Sequence, residues 1–133
     1  MNKRFLLIGL AIGMLVLASL ACDVSASTAA ITSATLTADT TTGAATTTFT
    51  PDQTFYCVVV LANAPDTTKV KAVWYTVDDA GTATKLTETE IVGSASPINF
   101  KLTANTPPWP VGKYRVEIYL NDTLNKTIDF SVQ

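Results

Sequence analysis

Beyond residue 22 the chain shows no sustained 3.6-residue apolar period, while period-two alternation returns repeatedly between clusters of turn residues. Such a chain can place side chains in a core only from strands, because successive residues of a strand point to opposite faces. Threonine, present 23 times in 133 residues, fits that demand. Its branched Cβ restricts χ1 and suits a pleated, half-exposed surface better than a helix.

The runs can be followed along the chain. Ile31 to Leu36 is the weakest. In Thr54 to Ala62, Phe55, Cys57, Val59 and Leu61 share one face and Tyr56, Val58 and Val60 the other, which predicts a central strand covered on both sides. Lys69 to Val77 places Ala72 and Trp74 on one face and Lys71, Val73 and Tyr75 on the other, before a turn at Asp78-Asp79-Ala80-Gly81. Lys85 to Val92 carries Glu88 and Glu90 and reads as an edge. Ile98, Phe100 and Leu102 form a one-sided strand. Tyr114, Val116, Ile118 and Leu120 form another, followed by a tight turn at Asn121-Asp122, and Ile128, Phe130 and Val132 point inward from the last. One sheet of this length leaves an apolar face wet, and no helix is at hand to cover it, so a second sheet must. The expectation is an all-β, two-sheet antiparallel sandwich of about seven strands over residues 30–133, with a closed barrel as the competing form.

Composition narrows the chemistry. With 9 basic against 11 acidic residues and a pI near 4.8, the chain as a whole lacks the cationic excess that phosphates demand, so no nucleic-acid partner is expected. No histidine is present, which removes the usual general base near neutral pH and the commonest transition-metal ligand. Triads and His-ligated zinc or copper sites are thereby excluded. No glycine-rich phosphate loop occurs, and no cofactor is expected.

The N-terminus reads as an address. Met1-Asn2-Lys3-Arg4 carries two cations, and 18 uncharged residues follow from Phe5 to Cys22, closing on Ser19-Leu20-Ala21-Cys22. Here the chain resembles a bacterial lipoprotein precursor, in which the cysteine after the cut becomes the lipidated first residue. The resemblance rests on Ala21 and Cys22, and departs from the strongest form of the motif in having Ser19 three places before the cysteine. It implies a signal peptide over 1–21, a lipidated Cys22 with a polar tether to residue 29, and a domain anchored at the extracytoplasmic face of the cell membrane. Cleavage by an ordinary signal peptidase, using Ser19 and Ala21 as the small residues, and retention as an uncleaved anchor are the alternatives, and all three export the domain. With lipid on Cys22, Cys57 has no intramolecular partner; a Cys22–Cys57 disulfide is the competing reading.

Within the domain, Cys57, Trp74 and the Gly112-Lys113-Tyr114-Arg115-Val116 run resemble the landmarks of immunoglobulin-like and fibronectin type III-like domains. The resemblance implies that Cys57 and Val116 face each other across the core, that Trp74 packs beside them and that Tyr114 forms the corner. Valine at 116 departs from antibody domains and rules out their inter-sheet disulfide, leaving Cys57 a small buried hydrophobe.

Little else carries chemistry. Asp78 with Asp79 sits in a turn, and Glu88 with Glu90 shares a strand face; both pairs read as solvated rather than as an acid and base. The Asp78–Gly81 turn lacks a calcium-loop spacing, and no metal site is expected. Asn121 and Asn125 open N-x-T sequons but are given turn and strand roles, and Thr40 to Thr50 is a candidate for glycosylation. The aromatic residues Trp109, Tyr56, Tyr75 and Tyr119 are the candidate ligand-binding residues, with packing as the competing role, above all for Trp109 between two prolines. The functional expectation is therefore a membrane-anchored module for non-catalytic binding or structural interaction in the cell envelope, with an envelope protein or polysaccharide as partner. A carbohydrate-binding accessory domain is the alternative and a small enzyme the second.

Overall fold

The computed structural model describes residues 28–104 and 108–133; the signal segment, Cys22 and most of the expected tether lie outside them. The described residues are all-β. Eight strands run in order: β1 Ala30–Thr37, β2 Thr48–Phe49, β3 Phe55–Ala62, β4 Lys69–Val77, β5 Ala83–Val92, β6 Ile98–Leu102, β7 Gly112–Leu120 and β8 Thr123–Val132. They form a three-stranded sheet, β1-β3-β6, and a five-stranded sheet, β2-β8-β7-β4-β5.

The inward faces of both sheets meet in one core. Phe55, Cys57, Val59 and Leu61 of β3 are buried, as are Ile98, Phe100 and Leu102 of β6, and opposite them lie Val70, Ala72, Trp74, Tyr114, Val116, Ile118, Phe130 and Val132. At one end the rings concentrate: Phe55 lies 4.7 Å from Phe49, 5.1 Å from Phe130 and 5.9 Å from Tyr114, centroid to centroid. Tilted and edge contacts of this kind each add about 0.5–1.5 kcal/mol beyond area burial. Trp74 meets Phe130 edge-on at 6.0 Å.

Two expectations about the strands are corrected. β3 is central, but its outward residues Tyr56, Val58 and Val60 are half-exposed rather than covered, because no described element lies over that face. β2 was not foreseeable from alternation, being only two residues long. It exists because the chain leaves β1 in one sheet, crosses by residues 38–47 and pairs in parallel with β8 in the other, which carries Phe49 into the core at 1% exposure.

Local chemistry sets the connections. Asn121 and Asp122 both adopt positive φ, 47° and 67°, the geometry of a two-residue hairpin turn that matches strand twist, and they join β7 to β8. Between β4 and β5, Asp78 accepts the Thr82 amide on Oδ1 at 2.7 Å, and Gly81 takes φ 84°, where a side chain would be strained. β5 is the edge, exposed along nearly its whole length, and a bulge opposite Trp74/Tyr75 interrupts its register.

Candidate functional site

The candidate aromatics separate into three places. Trp109 covers the end of the core: its ring stacks on Phe55, centroids 4.9 Å and planes 22° apart, its indole N–H donates to the Gln53 carbonyl at 3.1 Å, and its amide donates to the Pro51 carbonyl at 2.7 Å. Tyr56 lies on the outward face of the three-stranded sheet, opposite Lys101. Tyr75 and Tyr119 alone come together, on the outward face of the five-stranded sheet.

The register of β4 against β7 builds that face. Lys71 stands opposite Tyr119, Val73 opposite Glu117, and Tyr75 opposite Arg115. Each tyrosine therefore faces a cation across the strands, with Val73 and Glu117 between the two pairs. The Lys71 ammonium lies 4.9 Å from the centroid of the Tyr119 ring, within cation–π range. The Tyr119 hydroxyl donates to Glu117 Oε2 at 2.7 Å. That bond, followed by burial, pushes the Tyr119 phenol up to about 12. The Tyr75 phenol is also raised, first by burial and then by the charge of Glu117. Val73, although on the outward side, is only 3% exposed, so the longer side chains around it close over it.

Cations gather on this face. Of the seven Lys and Arg beyond residue 22, Lys69, Lys71, Lys85, Lys113 and Arg115 occupy outward positions of β4, β5 and β7. Four carboxylates share the face: Glu88, Glu90, Glu117 and Asp129. Arg115 Nε donates to Asp129 Oδ1 at 2.7 Å and Lys85 to Glu88 at 3.0 Å, whereas Lys71 and Lys113 form no ion pair among the described residues. Most remaining acidic residues sit in turns and loops elsewhere, as do Asp39, Asp52 and Asp66.

Of the carboxylate pairs weighed for acid–base work, one member of each is engaged, and Asp79 and Glu90 are exposed. Asp78 caps its turn, Asp79 is exposed beside it, and Glu88 is ion-paired on the β5 edge. The four landmark residues are all in the core: Cys57 and Val116 at 0% exposure, Trp74 at 1% and Tyr114 at 2%. Cys57 is a free thiol, and burial pushes it up to about 12. Sequence reasoning missed Lys71, Arg115 and Glu117 as site residues. The signal lay in their outward positions on the same strands as Tyr75 and Tyr119, but it becomes visible only once the strand register is known.

No protein-family model matches the sequence, and no curated protein is significantly similar to it. Among solved structures, the Pseudomonas fluorescens alkylpurine DNA glycosylase AlkC, bound to DNA containing an abasic site analog, is similar with a TM-score of 0.50 and 16% identity, over 79% of this chain and 30% of that one. At that identity the likeness is one of fold alone. This chain spans less than a third of the length of that enzyme.

The finding corrects three expectations: that the domain is a non-catalytic envelope-binding module, that it is not an enzyme, and that nucleic acid is not among its partners. The solved neighbour is an enzyme and is bound to DNA, so this fold is no ground for setting aside catalysis or nucleic acid. Net charge does not report position: five of the seven cations beyond residue 22 share one sheet face, with Glu88, Glu90, Glu117 and Asp129 among them.

Proposed function

We propose that this domain is an immunoglobulin-like module that holds a single-stranded nucleic acid against the outward face of its five-stranded sheet. One observation carries the reading: across β4 and β7 a cation stands opposite each tyrosine, Lys71 with Tyr119 and Arg115 with Tyr75. Aromatic rings offer stacking surfaces for unpaired bases of any sequence, and adjacent cations meet the phosphates. A duplex keeps its bases stacked away from such a face. The DNA-bound solved neighbour supports the ligand class. Glu88, Glu90, Glu117 and Asp129 offset part of the cationic field, so binding is weak and falls with salt.

The immunoglobulin-like identity is supported by the strand order, β1-β3-β6 facing β5-β4-β7-β8, and by Tyr114, whose hydroxyl donates to the Pro110 carbonyl four residues upstream at 2.7 Å. Location is a separate proposal, resting on residues 1–22: export, with lipid on Cys22. Labelled palmitate entering the chain in bacterial cells, and not entering Cys22→Ala, is the expected result; equal labelling of both would overturn it.

The test of ligand class is fluorescence anisotropy of fluorescein-labelled dT12 and of a 12-base-pair duplex, titrated with the full chain in nonionic detergent at low salt. The reading expects saturable binding of dT12 in preference to the duplex. Absence of dT12 binding overturns it.

A further inference from the structure

We propose that the depression at one end of this face, where β7 begins and β8 ends, is a seat for a single phosphodiester group; the proposal rests on the nucleic-acid reading above and names the point at which the strand's backbone is held. The depression is lined by Val77, Lys113, Tyr114, Arg115, Asp129 and Phe130. Its floor is fixed, because Tyr114 and Phe130 are buried and stacked on each other, centroids 5.4 Å and planes 22° apart. Its rim is charged. Lys113 stands opposite Val77 on one side and Ser131 on the other, and Arg115 stands opposite Asp129.

The arginine is ion-paired on one side, and the pair orients it. Asp129 Oδ1 accepts from Nε at 2.7 Å, which sets the plane of the guanidinium, and no bond to its two terminal nitrogens is formed among the described residues. Those nitrogens are strong donors in a fixed fork, the geometry that suits phosphate oxygens. Lys113 adds a mobile point charge two residues away on the same face. Within the depression Asp129 pairs with Arg115, so Lys113 is the lining cation without an ion pair among the described residues. The seat is therefore built for one backbone phosphate, while the Tyr75 and Tyr119 rings take the bases further along the face.

The experiment is dT12 binding to the full chain in nonionic detergent over a series of salt concentrations, comparing wild type with Lys113→Ala and Arg115→Lys. Amide shifts of residues 113–115 and 129–131 are followed in parallel by NMR, with dT12, with a neutral-backbone peptide nucleic acid T12 and with inorganic phosphate. Loss of one phosphate contact lowers the slope of log affinity against log salt by about 0.7 for a single strand. The proposal expects that fall in Lys113→Ala, a weaker complex in Arg115→Lys, and amide shifts with dT12 that T12 peptide nucleic acid does not produce. If dT12 binds with an unchanged slope in both variants and the amides do not move, the seat is overturned while the nucleic-acid reading stands. If inorganic phosphate moves these amides but dT12 does not bind, the depression is a site for a free phosphate, and the phosphodiester proposal falls together with that reading.

Discussion

The indole of Trp109 lies on the ring of Phe55, 4.9 Å away and nearly parallel, while Phe55 is itself fully buried among Phe49, Tyr114 and Phe130. One face of the tryptophan is thus spent on the core, and its N–H on the Gln53 carbonyl. Pro108 and Pro110 stiffen the loop that delivers it. This ring closes the end of the domain, at a distance in function from the Tyr75 and Tyr119 face.

Trp109→Ala removes the stack and leaves the Gln53 carbonyl without its indole donor. The expected loss of stability is about 2 kcal/mol, below the roughly 3–5 kcal/mol of a fully buried ring because Trp109 is only partly covered. Urea unfolding measures it. Trp109→Phe, which restores a ring but not the N–H, recovers part of the loss.

Tyr114→Phe deletes a single hydroxyl and with it the 2.7 Å bond to Pro110. A part-buried hydrogen bond of this kind contributes about 1 kcal/mol, and for a domain of this size each such unit lowers Tm by about 4–8 °C. Thermal denaturation checks the drop. An unchanged Tm would mean that the corner bond contributes nothing to the fold.

The Tyr119 phenol, raised to about 12 by Glu117, makes stability depend on pH in the alkaline range. An unperturbed tyrosine ionises near 10. Between about 10 and 12 the unfolded chain has released this proton and the folded chain keeps it, so fewer protons are bound in the unfolded state and stability falls as pH rises. Below pH 10 the contribution is intact. NMR of the Tyr119 ring carbons across this range is expected to show a midpoint near 12 that moves down in Glu117→Gln.

Cys57 is fully buried and its thiol is pushed up to about 12, so the nucleophilic thiolate is scarce and shielded. A thiol reagent added to the folded protein is expected to leave Cys57 unmodified over hours at neutral pH, and to modify it promptly in denaturant. Peptide mapping by mass spectrometry distinguishes the two.

Much of the fold is written in the alternation. Strands β3, β4, β6 and β7 could be placed because their inward residues, such as Phe55 to Leu61 and Tyr114 to Ile118, repeat strictly at every second position. The Asn121-Asp122 turn was legible because those residues tolerate positive φ. β2 was not legible: a parallel pair of two residues has no period, and Phe49 owes its burial to the crossing of the chain between sheets. The candidate site was half legible. Tyr75 and Tyr119 are outward-facing aromatics on alternating strands, which sequence can identify. That Arg115 stands opposite Tyr75 and Lys71 opposite Tyr119 depends on the β4–β7 register, set by packing between residues 40 and 48 positions apart. Net charge could not show that Lys71 and Arg115 stand opposite the two tyrosines, because it does not report which residues the fold brings together.

The most direct test of the nucleic-acid reading is the affinity of the full chain for dT12 at fixed low salt, compared with the Tyr75→Ala, Tyr119→Ala double variant whose fold is verified by its NMR spectrum. Removing two stacking rings is expected to weaken binding by roughly thirtyfold or more, since each base–aromatic stack contributes about 1–3 kcal/mol. Equal affinity in wild type and double variant would contradict the account.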